Sequence, residues 1–180
     1  MKQKFSTKLT IPEGVECSVV DRTLECKKGE RSFIKKIEIP SANLKVEGNL
    51  IELSCEEANR KDIKFIFSLL AHLKNGMKGL QEDFVYKLEI CHVHFPMTVK
   101  LEENKLIINN FLGEKKSRFA KVVEGVNIKI EGKDLIVSGQ DIEKVGQTAA
   151  NIEKATKVRS KDRRIFQDGI FIVEKPRGAL

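Results

Sequence analysis

One short segment carries the side chains best suited to chemistry, Cys91-His92-Val93-His94. A thiol and two imidazoles can bind zinc, and a Cys–His pair can form a nucleophilic site. In a strand, however, His92 and His94 share one face while Cys91 points to the other. A structural zinc site needs four ligands, and the sequence has no second cluster of this kind. We therefore expect no metal, no cofactor and no enzymatic activity.

The basic C-terminal segment, residues 154–180, is the stronger functional candidate. It has eight cationic side chains against three acids, whereas the rest of a chain of net charge +7 is nearly neutral. Apolar residues such as Val158, Phe166 and Ile170 interrupt the charges, which favours a segment anchored to a fold. Arginine binds two phosphate oxygens at once, so the segment predicts RNA contact. Its cations are Lys154, Lys157, Arg159, Lys161, Arg163, Arg164, Lys175 and Arg177.

A second basic stretch lies between two predicted strands, in residues 109–118. It presents Lys115, Lys116 and Arg118 beside Gly113-Glu114. An ordinary solvated hairpin has the same composition, so the sequence leaves two interpretations open here, a solvated hairpin and a contact with RNA or with a protein.

The elements that position these residues occur twice, 84 residues apart. The shared positions are Pro12/Pro96, Gly29/Gly113, Glu30/Glu114, Asn43/Asn127, Lys45/Lys129, Glu47/Glu131, Gly48/Gly132 and Ser54/Ser138. No gap is needed in this register, and the apolar positions keep the same spacing. Matched glycines and core positions indicate one fold duplicated. We expect a first domain at 1–82 and a second domain with the basic extension at 83–180.

Each copy is predicted to be α+β, with antiparallel sheets and one helix around a single core. Short apolar/polar segments bounded by turn residues predict the strands, at 15–20, 23–27, 31–39, 44–47 and 50–54, and again near 97–102, 104–110, 117–124, 126–130 and 134–138. An apolar stripe from Ile63 to Met77 predicts a helix that Gly76 and Gly79 end. A second stripe predicts a helix from Asp141 to Ile152. Residues 84–95 are expected to form one long strand that bridges the domains.

Four scattered cysteines without a C-x-x-C pair are expected to be reduced thiols. No apolar run approaches the length of a membrane span. We therefore expect a soluble, cytoplasmic protein.

Three stretches resemble the large-subunit ribosomal protein family called L six in bacteria and archaea and L nine in eukaryotes. They are Asn109-Asn110-Phe111-Leu112-Gly113-Glu114-Lys115, Tyr86-Lys87 leading to His94-Phe95-Pro96, and residues 161–171. The R-x-F-x-D-G pattern, Arg164 to Gly169, is specific to the archaeal and eukaryotic branch. Phe171 replaces the tyrosine that is usual in the family.

The resemblance implies a non-enzymatic structural protein of the large ribosomal subunit in the cytoplasm. It implies binding to large-subunit rRNA near the sarcin–ricin loop, with neighbouring ribosomal proteins as partners and translation GTPases docking nearby. It places the rRNA contacts on the cations of residues 154–177, with Lys115, Lys116 and Arg118 as a second group of candidates.

A protein–protein adaptor that uses exposed sheet edges is the alternative hypothesis. The weak net charge of residues 1–153 favours it. The low aromatic content, 6% with no Trp, argues against a single-strand RNA reader built on base stacking.

Overall fold

The computed structural model describes residues 3–37 and 42–176. Contacts divide these residues into two compact units, and the boundary along the chain lies between Glu82 and Asp83. In the described residues, the elements of the first unit are β1 (Gln3–Thr10), β2 (Glu16–Val20), β3 (Thr23–Lys28), β4 (Arg31–Lys36), β5 (Ala42–Glu47), β6 (Leu50–Ala58) and α1 (Arg60–Gln81). Those of the second unit are β7 (Phe84–Cys91), β8 (Thr98–Glu102), β9 (Lys105–Asn109), β10 (Arg118–Lys121), β11 (Val126–Glu131), β12 (Asp134–Gly139), α2 (Ile142–Ala155) and β13 (Gly169–Glu174), with a 3₁₀ turn at Phe111–Gly113.

Over residues 3–37 and 42–176, each unit has two antiparallel sheets and one helix, which confirms the α+β prediction. The sheet orders are β2-β3-β4 and β1-β6-β5 in the first unit, and β10-β9-β8 and β11-β12-β7-β13 in the second. Leu24, Leu53 and Leu73 lie fully buried in the first core; Leu135 and Ile152 do so in the second. Neither α1 nor α2, within the described part of the chain, has an apolar run of the length that a membrane span requires.

The duplication is clearest in the hairpin β5–β6 of the first unit and the hairpin β11–β12 of the second. Asn43 pairs with Ser54 between β5 and β6, and Asn127 pairs with Ser138 between β11 and β12. Gly48 and Gly132 turn these hairpins with φ of 58° and 62°, a conformation that a glycine adopts without steric cost. The offset of 84 residues therefore reproduces the strand register here, residue for residue.

The gap-free register does not extend to the first hairpin of each unit. The strands β2 and β3 turn at Asp21-Arg22, whereas β8 and β9 turn at Glu103-Asn104, two residues earlier in the shared numbering. Residues 110–117 then connect β9 to β10, whereas only residues 29–30 connect β3 to β4. This longer connection compensates for the earlier turn. Because the earlier turn and the longer connection offset each other, the two copies have equal lengths and the sequence comparison needs no gap.

The helix α1 is longer than predicted. It continues to Gln81, so Gly76 and Gly79 lie inside it and do not end it. A methyl group on Gly76 would overlap the Phe33 ring of β4, and the Gly79 carbonyl accepts a hydrogen bond from Arg31 Nη1 at 3.3 Å. These glycines occur where β4 approaches the helix closely. The packing against β4 therefore outweighs the low helix propensity of glycine.

The prediction that residues 84–95 form one strand bridging the two domains is also wrong. The strand β7 ends at Cys91 and belongs to the sheet of the second unit. Residues 92–97 are irregular, so the alternating faces expected for His92 and His94 do not apply.

The cysteines differ from the expectation of four free thiols. Cys17 and Cys26 are directly paired across β2 and β3 and form a disulfide, which leaves Cys55 and Cys91 free. Burial raises the pKa of the Cys91 thiol above its ordinary value of 9.0, so this thiol is a poor nucleophile.

Candidate nucleic-acid interface

The basic C-terminal segment is integrated into the sheet of the second unit through β13. This strand pairs antiparallel with β7, and Ile170 lies opposite Ile90 with its side chain fully buried. Glu174 Oε2 is 2.7 Å from Lys87 Nζ on the neighbouring strand. The predicted anchoring is therefore confirmed for Ile170, whereas Ile165 is 64% exposed and makes no comparable contribution to the core.

Residues 156–168 form a compact loop between α2 and β13. Thr156 Oγ1 accepts a hydrogen bond from the Ile170 N–H at 2.9 Å, which brings the two ends of the loop together. Val158 packs against the core, and a loop of this length with adjacent ends is an Ω-loop. We call residues 156–168 the basic loop.

The basic loop, α2, β7 and β13 line a cavity of about 1340 Å³ that is open to solvent. Five of the predicted cations line this cavity together with Lys133, against three acids, Glu89, Glu153 and Asp168. Cations on several walls of one concave surface attract an anionic ligand more strongly than cations scattered over a flat one. The five predicted cations are Lys154, Lys157, Arg159, Arg163 and Arg164.

Among the described residues, the predicted cations Lys161 and Lys175 do not line the cavity. The Lys161 ammonium lies over the Phe166 ring, 4.4 Å from its centroid. Lys175 is exposed beyond the end of β13. Arg177 lies outside the described residues.

Arg164 forms an exposed ion pair with Asp162, with Nη2 2.8 Å from Oδ2. The hydrogen bond from this side chain lowers the pKa of Asp162, and the Asp162 carboxylate also accepts the Arg164 backbone N–H at 2.9 Å. An exposed pair of this kind contributes little to stability, so Arg164 can exchange Asp162 for a phosphate at little cost.

Arg118 has a different environment from its neighbours Lys115 and Lys116. Its guanidinium makes two hydrogen bonds to the Glu114 carboxylate, at 2.6 and 2.8 Å, and lies 4.1 Å from the centroid of the Phe111 ring. Nη1 also donates to the Ala155 carbonyl at 2.9 Å, at the C-terminus of α2. Lys115 and Lys116 are exposed. The structure thus joins the two predicted basic stretches through Arg118, whose direct contact with RNA stays a prediction.

The sequence prediction missed Lys133, which the β11–β12 turn places beside β7. The Lys133 carbonyl accepts the Ile90 N–H at 2.8 Å. The signal was present in the repeat, because Lys133 corresponds to the uncharged Asn49 of the first copy.

It also missed the role of Asp168, whose side chain is fully buried. Oδ1 accepts the N–H groups of Val93 and His94 at 2.8 and 3.1 Å, and Oδ2 lies 2.6 Å from His94 Nδ1. Burial raises the pKa of Asp168, but the hydrogen bonds from His94 and Val93 outweigh it and hold that pKa below the ordinary value of 3.8. The carboxylate is therefore ionised, so His94 Nδ1 carries the proton that it donates.

The segment Cys91–His94 is thus part of a structural contact. Among the described residues, no group of three His, Cys, Asp or Glu side chains is arranged to hold a metal ion. What the cavity offers chemically is a set of cations on one concave surface, which suits the binding of a phosphate backbone.

Comparisons with known proteins show which family this chain resembles. The family model described as "Ribosomal protein L6" matches residues 95–169, a range that contains the 110–117 connection and the basic loop. Large ribosomal subunit protein uL6 of Methanococcus vannielii is 43% identical over 167 residues, which cover 93% of this chain and 92% of that relative. Proteins of the same name from Sulfurisphaera tokodaii and Methanothrix thermoacetophila are 40% and 37% identical, over 93% and 97% of this chain and 90% and 99% of their own lengths.

Proposed function

We propose, from the premise that this chain belongs to the ribosomal protein L6 family, that it is a structural component of the large ribosomal subunit and binds large-subunit rRNA. The family is structural and non-enzymatic, which confirms the expectation that the chain is not an enzyme. The observation that carries the proposal is the cavity of the second unit, where five predicted cations and Lys133 converge.

The mechanism is electrostatic and depends on shape. Cations on the basic loop, on α2 and in the β11–β12 turn neutralise phosphates of an RNA backbone that follows the concave surface. Helical RNA hides its base edges in a deep, narrow groove, so contacts to phosphates and 2′-hydroxyls dominate recognition. Exposed Lys115 and Lys116 extend this surface along the connection after β9.

The finer placement also belongs to the proposal. We place the rRNA contact near the sarcin–ricin loop, with translation GTPases docking nearby and with the ribosome in the cytoplasm. The resemblance of residues 161–171 to the archaeal and eukaryotic branch of the family supports this placement. Neighbouring ribosomal proteins are the expected protein partners.

Salt dependence of binding tests the proposal. The variant Lys154→Gln, Lys157→Gln, Arg159→Gln and Arg163→Gln removes four cavity cations. We expect the slope of log affinity against log salt for deproteinised large-subunit rRNA of Methanococcus vannielii to become shallower by about 3. The small-subunit rRNA of the same organism measures non-specific binding.

The matched control removes four exposed lysines of the first unit, with Lys4→Gln, Lys8→Gln, Lys45→Gln and Lys64→Gln. It has the same net charge but an intact cavity, so its slope for the large-subunit rRNA should stay within about 1 of the unsubstituted chain. Equal losses in the two variants would mean that only net charge matters, and the proposed interface would then be wrong.

The adaptor alternative keeps one supporting observation in the first unit. Val20 and Ile34 are 64% and 61% exposed on the sheet β2-β3-β4. Deletion of residues 154–180 cannot separate the two hypotheses, because it removes β13 from its sheet. The four-cation variant separates them instead, since an adaptor would keep its protein partner after this change.

A further inference from the structure

The feature that goes beyond the basic surface is the buried acid at the end of the basic loop. Asp168 is 1% exposed, and its carboxylate is within hydrogen-bond distance of three N–H groups of Val93 and His94. These partners are 74 and 75 residues away in the sequence, in the irregular segment that follows β7. The carboxylate therefore joins the basic loop to a distant part of the same unit.

Two further contacts hold the loop at the same end. The His94 ring stacks on Phe166, with centroids 5.1 Å apart and the ring planes inclined by 23°. Thr156 Oγ1, at the start of the loop, accepts a hydrogen bond from the Ile170 N–H just after its end. Between these contacts the chain carries Lys157, Arg159 and Arg163, whose side chains are exposed.

We propose that Asp168 is a positioning residue for rRNA binding, which fixes the basic loop in its binding conformation through His94 and the Val93 backbone. The inference rests on the proposed function. It assigns to an acidic side chain a favourable effect on the binding of an anionic ligand, which its charge alone would oppose. The effect arises because a preorganised loop does not have to be ordered when RNA binds.

The chemistry of the site favours a carboxylate over an amide. An ionised carboxylate accepts from all three donors at once, and hydrogen bonds to a charged acceptor are the stronger kind. In Asp168→Asn one of the two oxygens becomes an NH₂ group, which cannot accept from the His94 ring. The substitution changes few atoms, so the unit should still fold.

Limited proteolysis without RNA tests the loop itself. In the full chain carrying Asp168→Asn, we expect trypsin to cleave after the loop residues Lys157, Arg159 and Arg163 about tenfold faster than in the unsubstituted chain, as follows from losing one charge-assisted hydrogen bond. Cleavage after Lys100 and Lys129, elsewhere in the second unit, should not change. An equal increase at all of these sites would show a general loss of fold and would overturn the inference.

The RNA arm uses Glu89→Gln as its matched control. Glu89 lines the same cavity and the change removes the same charge, but within the described part of the chain its side chain makes no hydrogen bond to the basic loop. We expect Asp168→Asn to weaken binding to deproteinised large-subunit rRNA of Methanococcus vannielii about tenfold, and Glu89→Gln to strengthen it slightly. If both substitutions strengthen binding, charge governs the site and the inference is wrong.

His94→Phe provides a second, independent variant. It keeps an aromatic ring beside Phe166 and the backbone N–H groups, but it removes the donor to Asp168 Oδ2. We expect a smaller change of the same sign in both assays, and no change in either would contradict the assigned contact.

The two proposals can fail separately. If the unsubstituted chain does not prefer large-subunit over small-subunit rRNA, the proposed function is wrong, and the RNA part of the inference fails with it. The cleavage pattern still decides whether Asp168 fixes the loop.

Discussion

At the scale of single residues, the structure separates cations that face outward from one that faces inward. Lys115 and Lys116 are exposed, whereas Arg118 is bound to Glu114, to the Phe111 ring and to the carbonyl of Ala155. A count of charges along the sequence does not distinguish Arg118 from the two lysines. The planar guanidinium of Arg118 can contact a carboxylate, an aromatic face and a helix terminus together, which an ammonium group cannot do.

Arg118→Met should therefore lower the free energy of unfolding of the second unit by about 2 kcal/mol, because it leaves Glu114 and the helix terminus without their donor. Chemical denaturation monitored by circular dichroism measures this change. The control Lys116→Met removes the same charge from an exposed position and should change the free energy by less than about 0.5 kcal/mol. Similar values for both would contradict the structural role of Arg118.

Asp168 should make stability depend on pH. Its pKa is lower in the folded chain than the ordinary 3.8, so the unfolded chain binds the proton first as the pH falls. The stabilisation is complete above the unfolded pKa and is lost as the pH falls through the folded pKa. The difference in free energy of unfolding between the unsubstituted chain and Asp168→Asn should therefore be constant near neutral pH and shrink below pH 3.8.

Urea denaturation of both proteins from neutral pH to about pH 2.5 measures this difference. Glu114 and Asp162 also have lowered pKa values, but both proteins contain them and their contributions cancel. A difference that grows on acidification would contradict the prediction.

At the scale of elements, tertiary packing overrides local signals in α1. Glycine normally weakens a helix by about 1 kcal/mol relative to alanine, yet Gly76 lies inside α1. The reason is the Phe33 ring of β4, which occupies the space that a side chain at residue 76 would need.

Gly76→Ala should consequently destabilise the first unit by about 1–3 kcal/mol, despite the better helix propensity of alanine. In a Phe33→Ala background the overlap is gone, and the same substitution should stabilise by up to about 1 kcal/mol. Denaturation midpoints of the four proteins form a double-mutant cycle. A cost that is equal in both backgrounds would exclude Phe33 as its cause.

At the scale of the whole molecule, every described candidate contact lies in the second unit. We therefore propose that residues 83–180 fold alone and bind large-subunit rRNA with the affinity and salt slope of the full chain. Residues 1–82 alone should bind it no better than they bind small-subunit rRNA. Filter binding with both fragments measures this, and rRNA-specific binding by residues 1–82 would relocate the interface.

Local patterns were sufficient for much of the fold and for the family. The apolar stripes of α1 and α2 and the turn glycines Gly48 and Gly132 predicted elements that the structure contains. The concentration of charge in residues 154–180 predicted RNA contact, and the Arg164–Gly169 pattern helped to carry the resemblance to the family that the relatives confirm. These signals depend on residues close to one another in the chain, and a sequence displays them directly.

Only the tertiary structure decided which of these residues act together. The inclusion of Lys133 in the cavity, the inward orientation of Arg118 and the contacts of Asp168 with Val93 and His94 all join segments distant in sequence. The same holds for Gly76, where the Phe33 ring of β4 leaves no room for a side chain. Such contacts depend on how sheets and helices pack, and no local spacing or composition records that packing. The sequence by itself therefore determined the repeat, the charge and the family, and the fold determined which side chains lie together at the proposed interface.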